Sequence, residues 1–147
     1  MKVEFTVPGK PIPKARARTV RNGTRTYTPT PTVTYENLVK YSYWQKYKGF
    51  KFPDDVALKM DILAQFEIPK SMSNKQRQQI LNGNTHYTKK GDADNIAKAI
   101  LDPLNGLAYR DDAQVSDLNV KKRYGELPMA RVTITVIGEQ NEKESEF

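Results

Sequence analysis

Four carboxylates and a lysine stand out in this 147-residue chain as groups whose types and spacing suit chemistry. They are Asp92 and Asp94, then Asp111 and Asp112, with Lys98 between the pairs. Carboxylate oxygens with no sulfur or imidazole beside them suit a hard divalent cation, Mg²⁺ or Mn²⁺, and do not suit zinc. The chain has no cysteine and a single histidine, His86. That excludes disulfides, thiolate metal sites, cysteine nucleophiles and a multi-histidine zinc centre. Each pair also has a structural reading. An Asp at a helix start caps free N–H groups and complements the helix dipole, and Asp-Asp in a turn is ordinary. Lys98 follows Asp94 by four residues and so shares its helical face, but a plain Asp–Lys helix pair has the same spacing. Whether the two pairs converge depends on the return path of the chain, which spacing does not fix. If they converge, the carboxylates repel strongly unless a positive charge lies between them.

Positioning these groups requires a core, and the chain is long enough for one domain. Residues that are 37% hydrophobic, 10% aromatic and 28% charged do not make a disordered polyelectrolyte. No run approaches the roughly 18 apolar residues of a membrane span, and Met1 leads into a charged, alternating segment rather than a signal peptide. A cytoplasmic location is expected. The net charge is +7, and the last nine residues hold four Glu and one Lys, leaving +10 for residues 1–138. A body with that charge favours polyanions, nucleic acid first, over membranes or small-molecule cofactors.

The elements follow from periodicity. Val3, Phe5 and Val7 alternate with Lys2, Glu4 and Thr6 as a half-buried strand. A Pro- and Arg-rich stretch runs to Thr30, and its Asn22-Gly23 pair suits a loop or irregular hairpin. A helix is expected from Thr34 to Tyr47, with Pro31 just upstream and Tyr35, Leu38, Val39 and Ser42 on one face. The aromatics Tyr41, Tyr43, Trp44 and Tyr47 read as packing or interface residues. The clearest strand spans Leu58–Ile68. Ser73–Leu81 reads as a short helix started by Ser73 and stopped at Asn82-Gly83-Asn84. An amphipathic helix then runs from Asp92 to Asn105, ended by Gly106. Two strands close the chain, Val115–Tyr124 with Leu118, Val120 and Tyr124 on one face, and Arg131–Ile137. The expectation is a single α+β domain over residues 1–138, with a mixed or mostly antiparallel sheet and helices on one face, followed by a flexible acidic tail at 139–147.

One block is far more specific than any of these signals. Asp92-Ala93-Asp94-Asn95-Ile96-Ala97-Lys98, then Ile100-Leu101-Asp102, Leu104-Asn105-Gly106, Asp111-Asp112-Ala113-Gln114-Val115 and Lys122-Arg123-Tyr124-Gly125, closely resembles the RusA family of Holliday junction resolvases. The resemblance is dense over residues 90–125. It extends more weakly to the Gly9–Arg18 loop and to Tyr35-Glu36. Gly91 departs from it, standing where such relatives often carry proline. The resemblance implies a homodimeric, Mg²⁺-dependent endonuclease that resolves Holliday junctions by paired cuts in recombination and repair, encoded by a bacterium or prophage. Asp92, Asp94 and Asp112 are then the metal ligands, Asp111 a neighbouring one, and Lys98 the catalytic lysine. Carboxylate-held metal activates water and stabilises an anionic transition state, and an ammonium neutralises oxygen charge.

With DNA as substrate, Lys14, Arg16 and Arg18 are expected to contact phosphates. Lys89 and Lys90 abut the acids and would moderate their repulsion of DNA. For Lys121 and Arg123, alternating outward on a strand, a DNA-facing and a solvent-facing sheet both fit. His86 reads as a surface histidine or phosphate contact. Two rival functions stand beside the first, a non-catalytic DNA-binding relative and a nuclease for other branched DNA. A binder gains nothing from acids that repel phosphate.

Overall fold

In chain order the elements are β1 (Lys2–Pro8), β2 (Arg18–Thr19), β3 (Thr26–Tyr27), α1 (Thr30–Tyr47), β4 (Leu58–Glu67), α2 (Asn74–Leu81), α3 (Ala93–Leu101), a 3-10 turn (Asp112–Gln114), β5 (Val115–Gly125) and β6 (Met129–Val136). The structure is a computed structural model that describes residues 1–20, 23, 25–83 and 85–138. Asn22, Asn84 and the acidic tail at 139–147 lie outside the described residues.

Period-two alternation builds one four-stranded mixed sheet in the order β1-β6-β4-β5. β6 pairs antiparallel with β1 and β4, whereas β4 and β5 run parallel. A parallel pair needs a crossover, and α2, α3 and the 3-10 turn all lie in that connection. The register puts Val3, Phe5, Ile134, Val132, Met60 and Ile62 on one face, and all are buried. α1 joins them through Tyr35, Val39 and Tyr43, and α3 through Ile96, Ala97 and Ile100. At about 1.5–3 kcal/mol per fully buried large apolar side chain, this layer is the main source of stability. The opposite face carries Lys59, Asp61, Gln65, Arg131 and Thr133. The α+β architecture expected from the pattern is the one observed.

Two helix boundaries and one exposure differ from the sequence expectation. α1 begins at Thr30, so Pro31 sits inside its first turn rather than ahead of it. Proline is at home there, because the first N–H groups of a helix have no intrahelical acceptor. α3 stops at Leu101 instead of Asn105. Pro103 has no N–H to continue the ladder and its ring would strike the carbonyl four residues back. Leu104 is still buried, delivered by the turn in which the Asn105 N–H donates to the Asp102 carbonyl at 3.2 Å. Leu118 lies on the inner side of β5, opposite Met60, yet is 47% exposed because β5 is an edge strand. α2 agrees with expectation. Ser73 is its N-cap and closes a capping box with Gln76.

Two core tyrosines make a stability test. Tyr109 donates its hydroxyl to the Leu101 carbonyl at 2.6 Å. The buried Tyr35 hydroxyl has no partner among the described residues, and burial pushes its pKa up to about 12. A satisfied hydrogen bond contributes about 0.5–1.5 kcal/mol, whereas a buried unpaired polar group costs about 1–3 kcal/mol. Tyr109→Phe is therefore expected to lower urea stability by about 1 kcal/mol and Tyr35→Phe to leave it unchanged or raise it. The reverse order would show that Tyr35 has a partner.

Candidate active site

Gly91 turns the chain into α3. Its φ of +111° is closed to proline, which is held near −65°. A Cβ at Gly91 would lie 3.6 Å from Ile96 Cδ1 and 3.9 Å from Phe66 Cζ, which places the loop against the core. Asp92 is the N-cap residue, in extended conformation, and its carbonyl accepts the Ile96 N–H at 3.0 Å. Its carboxylate makes no capping hydrogen bond. The structural role open to this residue is not taken, and the charge faces solvent. Asp94 is exposed in the first turn, where the helix dipole favours an anion. Lys98, one turn further, is 60% exposed and pairs with Asp102 Oδ1 at 3.4 Å, not with Asp94.

The second acidic pair divides. Asp111 does take the structural role. Its carboxylate accepts the Ala113 N–H at 3.0 Å, and Gln114 Oε1 closes a reciprocal box by accepting the Asp111 N–H at 3.4 Å, with the Arg110 N–H donating to the same oxygen at 3.0 Å. The Ala113 hydrogen bond first, then one with Asp112, holds the Asp111 carboxyl below its ordinary pKa. Asp112 is half-buried, and its N–H donates to Asn105 Oδ1 at 2.7 Å. Burial first, then the hydrogen bond and charge of Asp111 and the charge of Asp102, raise its pKa, and Lys98 only partly offsets them. Asp112 thus carries like-charge repulsion that a cation would relieve.

Asp102 ties this region together, and the sequence reading did not single it out as a functional residue. Besides Lys98 it holds Lys14, whose Nζ lies 2.6 Å from Asp102 Oδ2 and 3.2 Å from Glu36 Oε2. Burial alone would lower the Lys14 pKa, but the hydrogen bonds to Asp102 and Glu36 outweigh it and hold the ammonium above its ordinary value. The Lys14 N–H also donates to the Asn95 carbonyl at 2.8 Å, and the Ala15 N–H to the buried Thr32 hydroxyl at 3.1 Å. These contacts lay the amino-terminal loop across α3, where Lys14, Arg16, Asn95 and Lys98 line one small groove. Lys98 therefore stands between Asp94, four residues before it, and the Asp102–Asp112 group. Among the described residues, no three acidic side chains meet around a point that an ion could occupy. The donor types suit Mg²⁺, while Asp92 and Asp94 stand at the start of α3 and Asp111 and Asp112 at the 3-10 turn.

The basic residues are divided by the sheet. Arg16, Lys89 and Lys90 are exposed, the first on the loop over α3 and the others just before Asp92. Arg18 is exposed on β2, which pairs with β3 in a two-residue ribbon. Lys121 and Arg123 pair with Leu63 and Gln65, on the sheet face that points away from the helices. The structure does not bring them to the acids. Lys122, between them, is on the helix side and donates to the Lys89 carbonyl at 3.0 Å. His86 is exposed. The i, i+4 spacing of Lys98 and Asp102 was the signal for the missed acid. Nothing in the sequence pointed to Lys14 as the partner of Glu36, 22 residues away.

A family model described as endodeoxyribonuclease RusA matches residues 8–137. The uncharacterized protein YqaN of Bacillus subtilis (strain 168) is 34% identical over 142 residues, an alignment covering 90% of this chain and 94% of that protein. Among the described residues no helix is long and apolar enough to cross a membrane. With the matched region running from the end of β1 to the end of β6 and including both acidic pairs and Lys98, this chain belongs to the RusA family of endodeoxyribonucleases.

Proposed function

We propose that the chain is a divalent-cation-dependent endonuclease that resolves four-way DNA junctions by paired phosphodiester cuts, acting as a homodimer. The observation that carries this reading is α3 itself. It presents the unspent Asp92 carboxylate, Asp94 and Lys98 on an exposed face beside a basic loop, in a chain of an endodeoxyribonuclease family. Asp92, Asp94 and Asp112 would hold Mg²⁺, with Asp111 beside them and Mn²⁺ as a substitute. When bound, the cation supplies an activated water and neutralises charge on the phosphoryl oxygens. Like charges do not gather at a common point unaided, so Lys98 and the ion would together offset the repulsion among these acids.

The protein's own residues do the rest. Lys98 holds an ammonium where negative charge develops, steadied by Asp102. Arg16, Lys89 and Lys90 offset the repulsion between the acids and the DNA backbone. Lys14, fixed by two acids, anchors the loop that carries Arg16. A four-way junction has approximate two-fold symmetry, and paired cuts in opposing strands need two such sites, which a C2 dimer supplies.

The test is incubation of the purified protein with a mobile synthetic four-way junction, and with a linear duplex of the same sequence, in Mg²⁺, Mn²⁺ or EDTA. Symmetric nicking of the junction alone, lost in EDTA, is expected, from a species that light scattering sizes as a dimer. Equal cutting of the duplex, cutting of flapped or three-way DNA in preference to the junction, or cutting in EDTA would overturn the respective part of the reading.

A further inference from the structure

A cleft of about 290 Å³ opens beside the entrance to α3, outside the acidic groups, and of its lining only Lys89 has a role in the reaction described above. Its walls are aromatic. Tyr87 stacks on Phe66 with ring centroids 3.9 Å apart and planes 7° from parallel, and Tyr124 meets Tyr87 edge-on at 5.1 Å. Lys10 and Lys89 stand on its rim, and Glu67 is the one acid in its lining. The Lys122 ammonium lies 5.1 Å from the Tyr87 ring centroid while holding the Lys89 carbonyl, and the Tyr87 hydroxyl donates to the Lys90 carbonyl at 3.2 Å. The loop from Tyr87 to Lys90 is thereby pinned over the sheet. The cleft also lies next to the start of α3. Phe66 is the ring against which Gly91 packs, and Gly91 adjoins Asp92.

From this geometry we infer that the cleft receives one unstacked nucleobase of branched DNA, with the flanking phosphates on Lys10 and Lys89. The inference rests on the DNA-cutting function proposed above and adds to it a physical basis for choosing branched over linear DNA. Aromatic side chains within a positively charged groove are the combination that holds single-stranded nucleic acid, the rings taking bases and the cations tracking the backbone. Taking a base out of the stack costs less where stacking is interrupted on one side, as at an open branch point, than inside an intact duplex. Glu67 accepts hydrogen bonds and donates none, so it sets which base edges the cleft tolerates and repels a phosphate pushed in their place.

The experiment measures binding in EDTA, where cutting does not interfere, to a synthetic four-way junction and to a linear duplex. Wild type is compared with Tyr87→Leu and Tyr87→Phe. Tyr87→Leu removes one aromatic wall of the cleft and the ring that stacks on Phe66, so it should narrow the junction-to-duplex affinity ratio about tenfold, and Tyr87→Phe should restore it. In a second arm, each branch-point nucleotide is replaced in turn by an abasic residue. One position should weaken wild-type binding by a similar factor and have no further effect on Tyr87→Leu. This arm needs only wild type to detect the base, so it stands even if the variant folds poorly. Equal losses on junction and duplex, or wild-type binding indifferent to every abasic position, would overturn the cleft. Wild type that nicks the junction in Mg²⁺ but is indifferent to abasic residues defeats the cleft alone, while wild type that neither binds nor nicks the junction defeats the function.

Discussion

Asp92→Asn and Asp94→Asn are each expected to abolish junction cleavage while binding the junction at least as tightly as wild type. The two effects come from one change. Asparagine keeps the size and the carbonyl oxygen of the side chain but removes a negative charge, so a hard cation loses its strongest donor and the DNA phosphates lose a repelling neighbour. The fold is not at risk. The Asp92 carboxylate makes no capping bond, and asparagine is as good an N-cap as aspartate, so stability should stay within about 0.5 kcal/mol. The expected loss in single-turnover rate exceeds the 10²–10³ typical of removing one electrostatic donor, because these residues place the ion as well as offset charge. Asp111→Ala is the informative contrast. That carboxylate is spent on the Ala113 N–H, so its loss should disturb the 3-10 turn more than the chemistry. A variant at Asp92 or Asp94 that cuts within tenfold of wild type would remove that residue from the site.

The elements that carry the site were legible where apolar spacing is regular and punctuation strong. β4 alternates over its ten residues and is buried at every second one, and Ser73 caps α2 where the capping-box pattern puts it. α3 shows the opposite case. Its apolar spacing runs on to Leu104, but the helix ends before Pro103, because a missing N–H and a ring clash outweigh a continuing hydrophobic face. The parallel pairing of β4 with β5 had no local signal, since strand direction is set by where a 47-residue connection returns the chain.

The candidate site was legible to the same degree. Asp92, Asp94 and Lys98 could be placed together because one helix fixes their spacing. The second acidic pair could be found but not oriented. That Asp111 is spent as a cap, while Asp112 is half-buried against Asp111 and Asp102, depends on a turn whose hydrogen bonds run to Asn105, Pro53 and Val56. Lys14 shows the limit most clearly. A lysine in a Pro- and Arg-rich loop reads as a free cation for phosphate, yet it is held by Asp102 and Glu36, and the latter comes from a helix that sequence spacing cannot bring near.

Lys98 separates chemistry from binding. Lys98→Ala leaves every carboxylate in place but removes a positive charge from between Asp94 and the Asp102–Asp112 group. Its ion pair with Asp102 is solvent-exposed on the lysine side, and such pairs contribute about 0–1 kcal/mol, so the fold should be little changed. The single-turnover rate at saturation is expected to fall on the order of 10²–10³, with junction binding retained. Arginine should rescue poorly, since a planar guanidinium does not replace a compact ammonium. Lys89→Ala is the control. As a phosphate contact it should weaken binding and flatten the salt dependence by about one counterion, leaving the chemical step to the other residues. Asp102→Asn then tests the support. With Lys98 freed, and with Lys14 left to Glu36 alone, the rate should fall by less than in Lys98→Ala. Mg²⁺ should bind less well too, because one of the charges crowding Asp112 is gone. If Lys98→Ala loses affinity alone and keeps the saturated rate, the lysine is a phosphate contact and the charge it carries is not used in the transition state.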